Sequence, residues 1–260
     1  MIMELLNYRI FSSDGTISFV KPVLVFLHGF GGSSAIWMKQ VNDLKEKYDL
    51  LMIDLPSHGK SKVMLSQMDK TFEAVANKII EVLNYLNIKK ANFIGCSLGT
   101  MFVKYIVLKK QELVDKYVLI GSIGTYSDWF KCALQAAKML LYIMPRKWCC
   151  NLVAKLIIPH KKSIESRKIF LQCAKRIPKK EFICWLKLLV KFPRVNKEYI
   201  NMLDTMEKGL YITGDRDVMF IDSLVEEYDK INNKVILNDC GHVCNIDKYK
   251  EVNQLVKNFI

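Results

Sequence analysis

Six short apolar runs recur along the chain, and most are followed by a segment of helical period. They are VLVFL at 23–27, LLMID at 50–54, NFIG at 92–95, YVLIG at 117–121, LYIT at 210–213 and KVIL at 234–237. Runs without polar alternation are expected of strands covered on both faces, as in a parallel sheet between helices. The helical segments are SAIWMKQVNDLKEKY at 34–48, TFEAVANKIIEVLNYL at 71–86, the stretch from Ser97 to about Lys110, IDSLVEEYDK at 221–230 and YKEVNQLVKNFI at 249–260. Alternation of this kind predicts an α/β fold with a mostly parallel central sheet flanked by helices. The first twenty residues, with Asp14-Gly15 between two apolar runs, predict an antiparallel hairpin at one edge.

The alternation stops after Gly121 and resumes at Leu210. Between them lie helical patterns punctuated by Pro145, Pro159, Pro178 and Pro193. Charge marks the same interval. The chain carries a net +13, and residues 126–208 hold 18 Lys+Arg against 6 Asp+Glu, an excess of +12 that leaves +1 for the rest. A shift that sharp predicts a separate unit: a core of 1–125 and 209–260, with 126–208 as a helical insertion. At 260 residues the chain suits one domain carrying an insertion.

The basic amphipathic helices of this insertion have three readings. Their lysines solvate an outer face, or snorkel from the wall of a greasy acyl pocket, or lie in peripheral contact with an anionic membrane surface. Trp129, Trp148 and Trp185 favour a bulky apolar pocket, or simply build a core. No nucleic-acid recognition motif accompanies the charge, so nucleic acid is not expected as a partner. No apolar run approaches the about 18 residues of a membrane span. The N-terminus lacks the pattern of a signal peptide, and the eight cysteines sit in apolar segments or beside each other. Together these predict reduced thiols in a cytoplasmic protein.

Three stretches carry chemistry. In NFIGCSLGTMF, Ser97 stands between Gly95 and Gly99 where a strand meets a helix. G-x-S-x-G at that joint is a nucleophile elbow, with the helix N-terminus offering free N–H groups to a developing oxyanion. In HGFGGSS, directly after VLVFL, Gly29 and its neighbours leave backbone N–H groups open. The N–H groups of Phe30 and Leu98 would then form a two-donor oxyanion hole. The loop is neither a Walker motif nor G-x-G-x-x-G. Finally TGDRDV at 213–218 and DCGHVCN at 239–245 follow late strands, so a carboxylate and His242 come after the serine in the order the elbow requires. Of four histidines, His28, His58 and His160 sit at a strand end, in a turn and in the insertion. Only His242 follows a late core strand. Cys240, His242 and Cys244 do not match a usual zinc spacing, so neither metal nor other cofactor is expected.

HGFGG, DLPSHGKS at 54–61, GCSLG, GDRD and GHVCNIDKYKEVNQLVKNFI together resemble the α/β-hydrolase fold family, in its branch with a helical cap. The resemblance implies a serine esterase with a Ser97–Asp217–His242 triad, the acid falling in the family's G-x-x-D pattern, and a small-molecule acyl ester as substrate. It leaves His28 as a brace for the glycine loop. Two departures matter. Val218-Met219-Phe220 stand where proline often follows the acid, which keeps Asp215 as an alternative. Pro56-Ser57-His58-Gly59 replaces the usual Pro-Gly-His-Gly. The same triad also serves thioester, amide or carbon–carbon hydrolysis, acyl transfer and a menaquinone-pathway type of lyase step. A receptor or scaffold with vestigial turnover is the alternative of another class.

Overall fold

The computed structural model describes residues 4–13, 15, 19–124, 128–189, 197–201, 208–217 and 231–260. A seven-stranded sheet runs through the molecule in the order β1-β3-β2-β4-β5-β6-β7. The strands are β1 (Tyr8–Phe11), β2 (Val23–Leu27), β3 (Asp49–Ile53), β4 (Ala91–Cys96), β5 (Val114–Ile120), β6 (Gly209–Gly214) and β7 (Lys234–Leu237). Every pairing is parallel except β1 with β3. Thus the antiparallel edge is present, formed by β1 on β3. The second arm of the expected hairpin, at 16–18, and the helix expected at 221–230 lie outside the described residues.

The apolar runs of β2, β3, β4 and β6 are continuous because both faces of the sheet are buried there, whereas the edge strand β7 is half exposed. Val25, Leu27, Leu51, Ile53, Phe93 and Leu119 point to one face. There they pack on α2 (Phe72–Tyr85) and α3 (Leu98–Lys109). Leu24, Phe26, Leu50, Met52, Ile94 and Val118 point to the other, where α1 (Met38–Leu44) packs with the C-terminal helix. The N-terminus of α2 is fixed by Thr71, whose hydroxyl accepts a hydrogen bond from the Ala74 N–H at 3.1 Å. Among the described residues, the sequence between β5 and β6 holds α4 (Asp128–Ile143), α5 (Arg146–Ile157), α6 (Ile164–Ala174) and α7 (Lys179–Leu189), and residues 197–201 are also helical. The C-terminal helix, α8, spans Tyr249–Phe259.

Among the contacts that tie the inserted helices to the core, those of α7 and of the α6 region bear on the loops around the glycine turn and His242. In α7, the Glu181 carboxylate accepts from the Ser57 hydroxyl at 2.6 Å and the Ser66 N–H at 3.0 Å. The Trp185 indole N–H donates to the Pro56 carbonyl at 3.1 Å. Burial pushes the Glu181 carboxyl up, but the bonds from Ser57 and Ser66 outweigh it and hold it below the usual range. In α6, Ser166 donates to Asp247 at 2.5 Å, and Ser163 just before the helix does the same. Lys39 of α1 meets Glu165 at 2.7 Å.

The turn after β3 holds the glycine loop that follows β2. Ser57, where the related family carries glycine, adopts φ 64°, a conformation that costs a side-chain-bearing residue strain. Its hydroxyl offsets that cost by bonding Glu181 and by accepting from the Leu65 N–H at 3.0 Å. Two buried histidines then fasten the loop. His28 Nε2 accepts from the Leu55 N–H at 3.0 Å while Nδ1 faces the Gly29 carbonyl at 2.8 Å. His58 Nε2 accepts from the Gly31 N–H at 3.0 Å while Nδ1 faces the Pro56 carbonyl at 2.9 Å. Each ring accepts at Nε2 and therefore carries its proton on Nδ1, so both are neutral. Burial lowers both, and the neighbouring His28 lowers His58 further, to about 3. Asp54 completes the clamp, accepting from the N–H groups of Ser34 at 2.6 Å and Lys60 at 2.9 Å.

A group whose folded pKa is depressed contributes stability above its unfolded value, and that contribution fades as pH falls toward the folded one. For His58 the window runs from about 6.5 in the unfolded chain down to about 3. Urea midpoints should therefore decline across this interval, and His58→Asn should flatten the decline. An unaltered slope would place the acid sensitivity elsewhere.

Candidate active site

Ser97 sits between the last residue of β4 and the first of α3, with φ 52° and ψ −117°. Such a conformation persists only where the surroundings enforce it. Here the Ser97 N–H donates to the Ile120 carbonyl of β5 at 2.9 Å, and its carbonyl accepts from the Thr100 N–H at 2.8 Å and the Thr100 hydroxyl at 2.6 Å. The flanking glycines have a steric job. A methyl group on Gly95 would lie 2.8 Å from the backbone of Gly99 and Thr100, and one on Gly99 would lie 2.0 Å from the Leu27 carbonyl oxygen. Strand β4, helix α3 and the end of β2 can approach this closely only without side chains.

His242 lies in the loop after β7, with only 1% of its surface exposed. Its Nε2 is 2.8 Å from Ser97 Oγ and its Nδ1 is 2.7 Å from Asp217 Oδ2. Both ring nitrogens are thus engaged, and the Asp217 carboxylate is as buried as the ring. The other candidate acid points elsewhere. Asp215 Oδ1 accepts from the Cys240 N–H at 3.1 Å, and this bond leads in holding its carboxyl below the usual range. Asp215 therefore braces the loop that carries His242 and does not meet the imidazole.

The glycine loop passes directly over the elbow, since a methyl group on Gly29 would lie 3.1 Å from Ser97 Cβ. Phe30 follows Gly29, and Leu98 opens α3, where an N–H has no carbonyl one turn back. Cys96, beneath the serine, is buried with its thiol directed to Asn245 Oδ1 at 3.4 Å. Burial, then the charge of Asp217, pushes that thiol far above its ordinary value. It is a packing group, not a nucleophile. His160 of the insertion approaches Asp239 at 3.6 Å, so of the four histidines His242 is the one that meets Ser97.

Gly121 escaped the sequence reading. It ends β5 with φ +55°, and a methyl group there would lie 2.5 Å from the His242 carbonyl oxygen and 3.1 Å from Nδ1. The one signal in the sequence was a glycine closing an otherwise apolar strand.

Two cavities meet at Ser97 and Phe30. One, of about 60 Å³, opens on the Leu98 side and is walled by Met101, Leu134, Val153, Leu186 and Leu189. The other, of about 40 Å³, opens on the His242 side and is walled by Ile36, Ile157, Ile169 and Phe170. Among the described residues, no Lys, Arg, Asp or Glu lines either. Trp148 and Trp185 do not line these cavities, and Trp185 takes the other expected role, in the core. Trp185 is buried under the turn at Pro56, Trp148 is 63% exposed, and the Trp129 side chain lies outside the described residues. Leucine, valine and isoleucine supply the lining instead.

A family model described as the alpha/beta hydrolase fold matches residues 22–147. Among curated proteins, the chain is 34% identical over 104 residues to the uncharacterized hydrolase YugF of Bacillus subtilis (strain 168), covering 40% of this chain and 38% of that one. It is 32% identical over 120 residues to a putative esterase/lipase of Haemophilus influenzae, covering 46% and 40%. The match therefore spans about two fifths of the length of these relatives. Among solved structures, the esterase EaEST from Exiguobacterium antarcticum superposes with a TM-score of 0.79 over 98% of this chain and 94% of that one, at 16% identity. At such identity the likeness speaks to architecture, and it extends through the inserted helices to both ends of the chain. Strand order, elbow and family model agree: this chain has the α/β-hydrolase fold.

Proposed function

We propose that the chain hydrolyses carboxylic esters through an acyl-enzyme on Ser97. The observation that carries this reading is the unbroken line Ser97 Oγ–His242 Nε2–His242 Nδ1–Asp217 Oδ2, at 2.8 and 2.7 Å. His242 Nε2 takes the hydroxyl proton as Oγ attacks the ester carbonyl, while Asp217 fixes the tautomer and stabilises the imidazolium. The Phe30 and Leu98 N–H groups hold the oxyanion, with the partial positive charge at the start of α3 behind Leu98. His242 then returns the proton to the alcohol oxygen as the carbon–oxygen bond breaks. Water, activated in its turn by His242, releases the acid. No metal or other cofactor has a step in this sequence.

The two cavities allot the halves of the substrate. A leaving oxygen must lie beside the imidazolium that protonates it, so the alcohol occupies the His242 side. The acyl chain occupies the Leu98 side, where the wall is hydrocarbon. Anionic substrates are disfavoured, because a carboxylate there would be buried without a partner. This weighs against a lyase of charged intermediates. The helices of 126–208 act as a cap that closes both cavities. Relatives named hydrolase and esterase/lipase support the same class of reaction.

A fluorophosphonate probe should label the wild type and leave Ser97→Ala unlabelled. Asp217→Asn should lower kcat/KM on p-nitrophenyl esters by about 10⁴-fold, and Asp215→Asn by less than about tenfold. The opposite ranking would move the acid to Asp215, and labelling of Ser97→Ala would remove the serine from the mechanism. Gly121→Ala, by displacing His242, should lower kcat by about 100-fold with a folded core. Full activity in that variant would show that the imidazole tolerates the added methyl. Across p-nitrophenyl esters of rising acyl length, kcat/KM should climb to a medium chain and then fall. A steady climb to long chains would show the Leu98-side cavity opening outward.

A further inference from the structure

The outer face of the α4–α5 corner has no use in the fold or in the site just described. Among the described residues, ten large hydrophobic side chains are exposed, and five of them fall within 139–152: Met139, Tyr142, Ile143, Trp148 and Leu152. Ile143 is 82% exposed, and Met139, Tyr142 and Trp148 are each above 60%. These helices already bury an apolar face inward. Leu134 and Leu141 of α4, with Cys149, Cys150 and Val153 of α5, belong to the core. A surface helix that satisfies one apolar face on its own domain normally presents polar groups on the other. Here the second face is apolar too, and it borders a groove of about 310 Å³ walled by Met144, Trp148, Leu152 and Lys155. A contiguous patch of this kind marks a surface that meets another apolar body.

Charge identifies that body. From residue 129 to residue 164 the sequence has seven Lys+Arg and no Asp or Glu. Lys147 and Lys155 are exposed beside Trp148 and Leu152. From the start of α7, Lys179 reaches the Tyr142 carbonyl at 3.5 Å. A second copy of the chain, docked face to face, would bring a surface of the same sign against this one. An acidic lipid surface brings the opposite sign together with hydrocarbon a few ångströms deeper. Tyr142 and Trp148 suit that boundary, since each has an apolar ring and a polar tip. Basic rim, apolar centre and interfacial aromatics together are the composition of an element that lies in a bilayer surface without crossing it. No helix among the described residues is long and apolar enough to cross a membrane.

We propose that the α4–α5 corner docks on anionic lipid bilayers, with Tyr142, Ile143 and Trp148 entering the headgroup region and Lys147, Lys155 and Lys179 facing the lipid phosphates. The proposal stands apart from the hydrolase reading, because binding is read without turnover and Ser97→Ala protein serves equally well in the assay.

The test is co-sedimentation of the full chain with phosphatidylcholine vesicles, with and without phosphatidylglycerol. Binding should require phosphatidylglycerol, weaken in high salt and disappear in the double variant Ile143→Ser/Trp148→Ser. The pair Lys147→Gln/Lys155→Gln, which leaves the apolar surface untouched, should weaken binding by about thirtyfold. Turnover of a soluble ester, or an unchanged urea midpoint, certifies that each variant is folded. Three results would overturn the proposal. One is failure of the wild type to bind phosphatidylglycerol vesicles in low salt. Another is equal binding by both double variants. The third is a wild-type dimer in sedimentation velocity that Ile143→Ser/Trp148→Ser converts to monomer, which would make a second copy the occupant.

Discussion

Three backbone segments converge around Ser97 at distances no side chain could survive. The end of β2 passes Gly99, the start of α3 passes Gly95, and β5 accepts the Ser97 N–H through Ile120. The serine's φ of 52° follows from this crowding. A relaxed backbone at residue 97 would direct the chain away from α3 and separate strand from helix. The arrangement also gives the serine its exposure to the imidazole. The hydroxyl stands at the apex of a turn too tight to fold over it, with the N-terminus of α3 immediately behind. Conformational strain is held in place here by the burial of β2, β4 and β5 on both faces.

Placement of the histidines shows how equally buried rings can be given different partners. His28 and His58 each accept from a backbone N–H at Nε2 and face a carbonyl at Nδ1, so a second proton would break a bond that holds the glycine loop. Burial reinforces the neutral form. His242 differs in its partners, not in its burial. A carboxylate faces Nδ1 and a hydroxyl faces Nε2.

Much of this was legible in the sequence, for identifiable reasons. Strands with both faces buried have to read as unbroken apolar runs, as β2, β3, β4 and β6 do, while the half-exposed edge strand β7 was marked only by the short run KVIL. The elbow was visible because its steric demand is local: Gly95, Ser97 and Gly99 lie within five residues. What stayed hidden depends on contacts across the chain. Gly121 matters because His242 packs on it from 121 positions away, and nothing near Gly121 announces this. Glu181 looked like one charge among many in a basic segment, yet it secures Ser57, the residue that replaces a glycine in the turn. Asp215 and Asp217 could be ranked from the sequence only by family resemblance. Geometry separates them, since one bonds the Cys240 N–H and the other the imidazole. The tryptophans left pocket and core both open because size and apolarity do not say which way a ring points.

Two of the tethers of the inserted helices land on loops of the candidate site. Through Glu181 and Trp185, α7 grips the turn at Pro56–Ser66, and that turn in turn holds Gly31 through His58. Through Ser163 and Ser166, the α6 region grips Asp247, in the helical turn Cys244–Asp247 just beyond His242. A displacement of the insertion as a whole would therefore pull on the glycine loop at one end and on the loop of His242 at the other. Charged and hydroxyl side chains make these tethers, whereas α4 and α5 meet the core through hydrocarbon. Apolar contacts are non-directional and tolerate sliding, while the bonds at Glu181 and Asp247 are directional and do not. The mechanical consequence is an insertion fixed where it touches the loops of the site and adaptable where it walls the Leu98-side cavity.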